Sequence, residues 1–147
     1  MQNLTGSLVL VHPELTSDPV SRQGHVGVIV GADLKSDSIA VGFGTPKLGV
    51  YSSDALMVLK DHSKLWEIAM NNHKQMEPDT YKSLLVMSMD LYSGDLNRMA
   101  NAMEMAKGSP ELMEYSLISL EEKLTMDISI ADTKRDPTIY NSFYFDR

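Results

Sequence analysis

No cysteine occurs anywhere in the chain. Disulfides, a thiolate nucleophile and cysteine-bound zinc are therefore excluded. Long apolar runs are missing too. The longest strictly apolar stretches, residues 8–11 and 55–59, fall far short of the roughly 20 residues needed to cross a bilayer. The first residues, MQNLTGS, offer neither a basic start nor an apolar core, so no secretory signal is expected. A soluble cytoplasmic protein with no membrane partner is the expectation. Basic clusters are also absent. Net charge is −7. Residues 1–60 hold four basic and five acidic residues (net −1), and residues 61–147 hold nine and fifteen (net −6). A duplex-binding face needs grouped Lys and Arg, so the acidic balance argues against nucleic acid as the main partner.

What is present is ordinary globular material. The 147 residues are 43% apolar and 22% charged, enough for one domain or two small ones sharing a core. The stretch 24–59, GHVGVIVGADLKSDSIAVGFGTPKLGVYSSDALMVL, reads as short strands separated by turns. Residues 8–11 form a first strand. A long loop with two prolines follows, residues 13–23. Residues 25–30, rich in β-branched side chains, form a second strand. Gly24, Gly27 and Gly31 punctuate it, and glycines within strands mark bulges, bends or close backbone approach. Ile39, Val41 and Phe43 alternate on one face of a third strand. After the turn Gly44-Thr45-Pro46-Lys47 come a short fourth strand at 49–51 and a single helical turn capped near Ser53 and Asp54. A last strand occupies 57–59.

Five short strands, a long first loop and a helical turn before the last strand resemble the small five-stranded barrels of the Src-homology-3-like class. The resemblance covers the first 60 residues or so. The spacing Gly24-x-x-Gly27-x-Ile29 is also similar to the glycine pattern of KOW-type barrels, which bind RNA or proteins. The resemblance implies a closed antiparallel barrel with recognition at the loop 13–23. This loop carries no aromatic residue, unlike the grooves that hold proline-rich ligands. Phe43 and Tyr51 are the only aromatics of the barrel segment, too few for a methyl-lysine cage.

From Asp61 the apolar period changes from 2 to 3.6. Ser63 is expected to cap a first helix with Leu65, Ile68 and Ala69 on one face. A second helix opens at Pro78 and runs to about Tyr92, with Tyr81, Leu84, Leu85, Met89 and Tyr92 as its apolar stripe. Asp95 caps a third helix that ends at Gly108. Ser109-Pro110-Glu111 opens a fourth, and Ser119-Leu120-Glu121-Glu122 spells a capping box for a last short one. The tail, residues 127–147, carries Ile139, Tyr140, Phe143, Tyr144 and Phe145 and is expected to dock on the body or on a partner. The expected fold is α+β. Residues 1–60 form a small antiparallel barrel, residues 61–126 pack on it as three to four short helices, and residues 127–147 form an aromatic tail.

Chemistry-bearing patterns are sparse. No H-E-x-x-H, G-x-S-x-G, Walker A or dinucleotide fingerprint is present, and neither metal nor cofactor is expected. His12 and His25 could face each other across the first hairpin, with ordinary hairpin residues the simpler account. Glu121 and Glu122 are adjacent and cannot face each other on a helix. Methionine is abundant, 11 in all. Most fall at core spacing, while Met87 and Met105 lie off the stripes and suggest a contact surface. Trp66, the one tryptophan, is read as sealing the barrel–helix junction, with an exposed binding anchor as the alternative.

The expected function is a non-catalytic interaction or regulatory module that binds another protein. Arg22, Gln23, Tyr51, Trp66 and Tyr144 are the candidate binding residues. Self-association through the tail is a further possibility. The alternatives are an RNA- or DNA-binding barrel and an enzyme with an unrecognised site.

Overall fold

The computed structural model describes residues 4–16, 18 and 20–126. Tyr144 and the rest of the 127–147 tail lie outside the described residues. The strands are β1 (Leu8–Val11), β2 (Val26–Asp33), β3 (Ser38–Gly42), β4 (Leu48–Tyr51), β5 (Leu56–Leu59) and β6 (Leu117–Ser119). A 3₁₀ turn, Ser53–Ala55, precedes β5. The helices are α1 (His62–Asn72), α2 (Pro78–Ser93), α3 (Leu96–Ala106), α4 (Pro110–Ser116) and α5 (120–126).

The six strands make one antiparallel sheet in the order β4-β3-β2-β1-β5-β6. The expected closed barrel is therefore wrong: the sheet is open. Closure would require β4 to find a partner on its free side, and it has none among the described residues. At the other end, β6 pairs with β5 through Met57↔Ser119, Val58↔Ile118 and Leu59↔Leu117. The sheet thus draws on residues from both sides of position 60, and the fold is α+β with an open sheet. No described helix is long and apolar enough to cross a membrane.

An open sheet has two faces, and each carries its own core. On one face Val9, Val11, Ile29, Ile39, Val41, Leu56 and Val58 converge, covered by Leu15 and Val20 of the long loop and by Leu120 and Leu124 of α5. On the other, Leu8, Leu10, Val26, Met57 and Leu59 meet the helices through Leu65, Ala69, Leu84, Met87, Met103 and Leu112. Alternation along the strands explains the division: Val9 and Val11 point one way, Leu8 and Leu10 the other. α3 lies across β1, β2 and β5, and α2 packs against α1, α3 and α4.

Two glycines are close-approach sites. A β-carbon at Gly27 would sit 2.5 Å from Val41 Cγ1 and 2.8 Å from Phe43 Cε1. One at Gly49 would sit 2.5 Å from Tyr51 Cε2. An aromatic ring stands against each glycine, where an added side chain would meet it. Gly31 differs, because it follows a register shift in the β2–β3 ladder.

Local capping directs the helices. Asp61, not Ser63, caps α1: its carboxylate accepts from Lys64 N–H at 2.8 Å and from Ser63 Oγ at 2.9 Å. Asp95 and Ser109 cap α3 and α4 as expected. Ser119 Oγ accepts from Glu122 N–H at 3.1 Å, which starts α5.

The buried face of α2 departs most from expectation. It carries Thr80, Leu84, Met87, Ser88 and Asp90. Met87 is fully buried, while Met89 is 57% exposed, so Met87 is core and offers no contact surface. Three polar groups occupy buried positions because each has a partner. Thr80 Oγ1 donates to Glu111 Oε1 at 2.6 Å and Ser88 Oγ to the His62 carbonyl at 2.7 Å. Asp90 accepts from Arg98 Nε at 3.0 Å and Asn101 Nδ2 at 3.3 Å. Counting apolar residues alone therefore rotated the stripe onto Met89 and Tyr92.

Candidate functional site

The candidate residues near the first loop do come together, but as ties that hold the loop to the sheet. Asp18 is the centre. Its carboxylate accepts from the N–H groups of Val20 at 3.0 Å and Arg22 at 2.9 Å, and from the Tyr51 hydroxyl at 3.0–3.1 Å. Burial pushes the Asp18 carboxyl up, but these donors outweigh it and hold it below the ordinary carboxylate range. The same bond works in reverse on Tyr51. Burial first, and then the neighbouring carboxylate, push its hydroxyl above the usual tyrosine value. The Arg22 guanidinium stacks 5.5 Å from the Phe43 ring centroid. Phe43 in turn meets Tyr51 edge-on at 6.5 Å. Gln23 Nε2 donates to the Leu15 carbonyl at 3.1 Å. Tyr51 is buried, its hydroxyl already committed. A ligand would have to break these bonds to use Tyr51 or Gln23.

Trp66 lies elsewhere. It does not seal the sheet–helix junction, which α1 fills with Leu65 and Ala69. It is 48% exposed and lines a groove of about 540 Å³ whose walls come from α1, α2 and the start of α3. Its neighbours there are His62, Ser88, Met89, Tyr92 and Arg98. Tyr92 is 77% exposed, and its ring meets that of His62 edge-on at 5.0 Å. Arg98 is held at this site by the Asp90 bond described above, which occupies its Nε.

The reasons for this exposure are local. Ser88 spends its hydroxyl on the His62 carbonyl, which draws the start of α1 onto α2. Asp90 faces inward toward α3. Helical spacing then places Met89 and Tyr92, three residues apart, on the outer side of α2. The apolar surface so displayed consists of rings and a flexible thioether. It suits an apolar anchor side chain, with a charged donor at the rim.

A second cleft of about 380 Å³ lies between the sheet and the helices, lined by Leu4, Leu8, Leu59, Leu91, Met103 and Leu120, with Lys60 at its mouth. Burial, and then the nearby Lys64, hold the Lys60 amine below the ordinary lysine range. The one ring among its lining residues is that of His62, which also lines the first groove. Among the described residues no three His, Asp or Glu side chains converge to hold a metal. His12 Nδ1 accepts from the Glu14 N–H at 3.1 Å, a local loop bond.

The chain matches no protein-family model, no curated protein sequence and no solved structure.

Proposed function

We propose that the protein is a non-catalytic interaction module whose binding surface is the groove between α1 and α2, and that its partner is another protein. One observation carries the reading: Trp66, Met89 and Tyr92 are 48%, 57% and 77% exposed around a single groove. Large apolar side chains grouped on a surface cost solvation unless something covers them. Trp, Tyr and Arg are also the residue types that dominate binding hot spots. A partner with an aliphatic or aromatic anchor would fill the groove, and an acceptor beside that anchor would meet Arg98. A cytoplasmic location is part of the proposal, and the cysteine-free composition suits it.

The test is a photo-crosslinking amino acid at position 89 in the host cell. The captured protein is then purified and titrated against wild type and variants. Trp66→Ala and Tyr92→Ala are expected to weaken its affinity by about tenfold or more each, the range of a hot-spot side chain. Arg22→Ala is expected to leave it within about twofold. Affinity indifferent to both groove changes would refute the reading.

A further inference from the structure

The described helices leave part of one sheet face uncovered. Leu8↔Val28 and Leu10↔Val26 are cross-strand partners, so Val26 and Val28 share the face that the helices cover at β1. That face continues through Val28↔Gly42 and Gly42↔Leu48 to β4. A β-carbon built on Gly42 would lie 3.4 Å from both Leu48 and Val30, which places Val30 there as well. Past β2 no described helix covers it, and Val28, Val30, Leu48 and Val50 are 36%, 47%, 50% and 60% exposed among the described residues. Among the described residues β4 is also a free edge of the sheet. Alternate residues of an edge strand present unpaired N–H and C=O groups, and natural sheets blunt such edges with charges or proline. Within Leu48–Tyr51 there is neither.

We infer that β4 pairs antiparallel with β4 of a second copy of this chain, joining two six-stranded sheets across a two-fold axis. Two features single out a second copy as the occupant. First, an antiparallel pair of identical strands is two-fold symmetric, so one surface serves both sides. Second, the ends of β4 are complementary to each other. Lys47 precedes the strand, and Asp54 follows it in the 3₁₀ turn Ser53–Ala55; both are exposed. Antiparallel pairing sets Lys47 of each copy beside the Asp54 turn of the other, twice per dimer. The interface is thus locally neutral although the chain carries −7.

The register is also constrained. Directly opposed residues share a face, so Val50 must oppose Leu48, Val50 or Ser52 of the other copy. Val50 facing Val50 meets the condition, merges the two apolar patches and sets Lys47 opposite residue 53, next to Asp54. This surface is separate from the α1–α2 groove, so its fate does not decide that of the groove.

The test uses the full chain in sedimentation equilibrium and light scattering from low to high micromolar concentration. Wild type is expected to dimerise. Val50→Lys, at an exposed position that leaves the monomer's circular dichroism intact, is expected to weaken dimerisation at least tenfold. Lys47→Glu and Asp54→Lys are each expected to weaken it, and the double variant to restore it. The absence of native cysteine allows a direct check. Opposed strand residues have Cα atoms about 4.5–5.5 Å apart, within disulfide range. Val50→Cys alone is expected to give a disulfide-linked dimer on oxidation. A chain that stays monomeric throughout, or a dimer untouched by Val50→Lys and Lys47→Glu, would overturn the inference.

Discussion

Replacing Tyr51 by Phe isolates the bond that ties the first loop to the sheet. The ring stays, lying over Gly49 and against Phe43; only the hydroxyl is lost. A hydrogen bond to a charged group contributes about 1.5–3 kcal/mol. The lower end applies here, because Asp18 keeps the N–H groups of Val20 and Arg22 and is not orphaned. The expected cost is about 1.5 kcal/mol. With a urea slope of roughly 2 kcal/mol per molar, the unfolding midpoint at pH 7 should fall by about 0.7 M with the slope unchanged. The pH dependence follows from the direction of the Asp18 shift. Its folded value is depressed, so the stability it contributes is present above its unfolded value near roughly 4 and is lost as pH falls through the folded value. The gap between wild type and Tyr51→Phe should therefore shrink in acid. Combining the change with Asp18→Asn should give a non-additive total, by about 1 kcal/mol. A gap below about 0.3 kcal/mol at pH 7, or strict additivity with Asp18→Asn, would refute the account.

Other perturbations probe separate features. Gly27→Ala should cost about 1–3 kcal/mol by overpacking against Val41 and Phe43. Gly31→Ala, with nothing within 4 Å, should be neutral or slightly stabilising in the same urea titration. Asp61→Ala removes the α1 cap and should cost about 1 kcal/mol at neutral pH. The Lys64 N–H bond outweighs burial and holds that carboxyl low, so thermal melts of the two proteins should converge only as pH falls below the ordinary carboxylate value near roughly 4 and through the depressed folded value. Asp90→Ala leaves Arg98 and Asn101 without their shared acceptor. It should cost about 1–3 kcal/mol in chemical denaturation.

Locally encoded features were legible in the sequence. Ile39 and Val41 alternate and are fully buried, and the caps at Asp95 and Ser109 stand where their side chains announce them. Two features depended on distant partners and were not. β6 is three residues between two helices, too short for a period, and it becomes a strand only by meeting β5 some 60 residues earlier in the chain. Whether a sheet closes depends on what lies beside its edge strands, which no residue of β4 specifies. The groove escaped for a related reason. Thr80, Ser88 and Asp90 look like surface residues until Glu111, the His62 carbonyl and Arg98 are placed against them. With those three turned inward, Met89 and Tyr92 are left outside. Trp66 was the available signal: its departure from the Leu65–Ala69 stripe left two readings, a junction seal and an exposed anchor, and its 48% exposure turns the favoured one, the seal, into the other.

That residue also supplies the most direct measurement. Trp66 is the one tryptophan of the chain and stands in the groove, so its fluorescence reports occupancy without a label. Titration with the protein captured at position 89 is predicted to shift its emission to the blue and protect it from acrylamide quenching, with saturation at the affinity found by calorimetry. Tight binding that leaves the emission and quenching of Trp66 unchanged would contradict the groove as the binding surface.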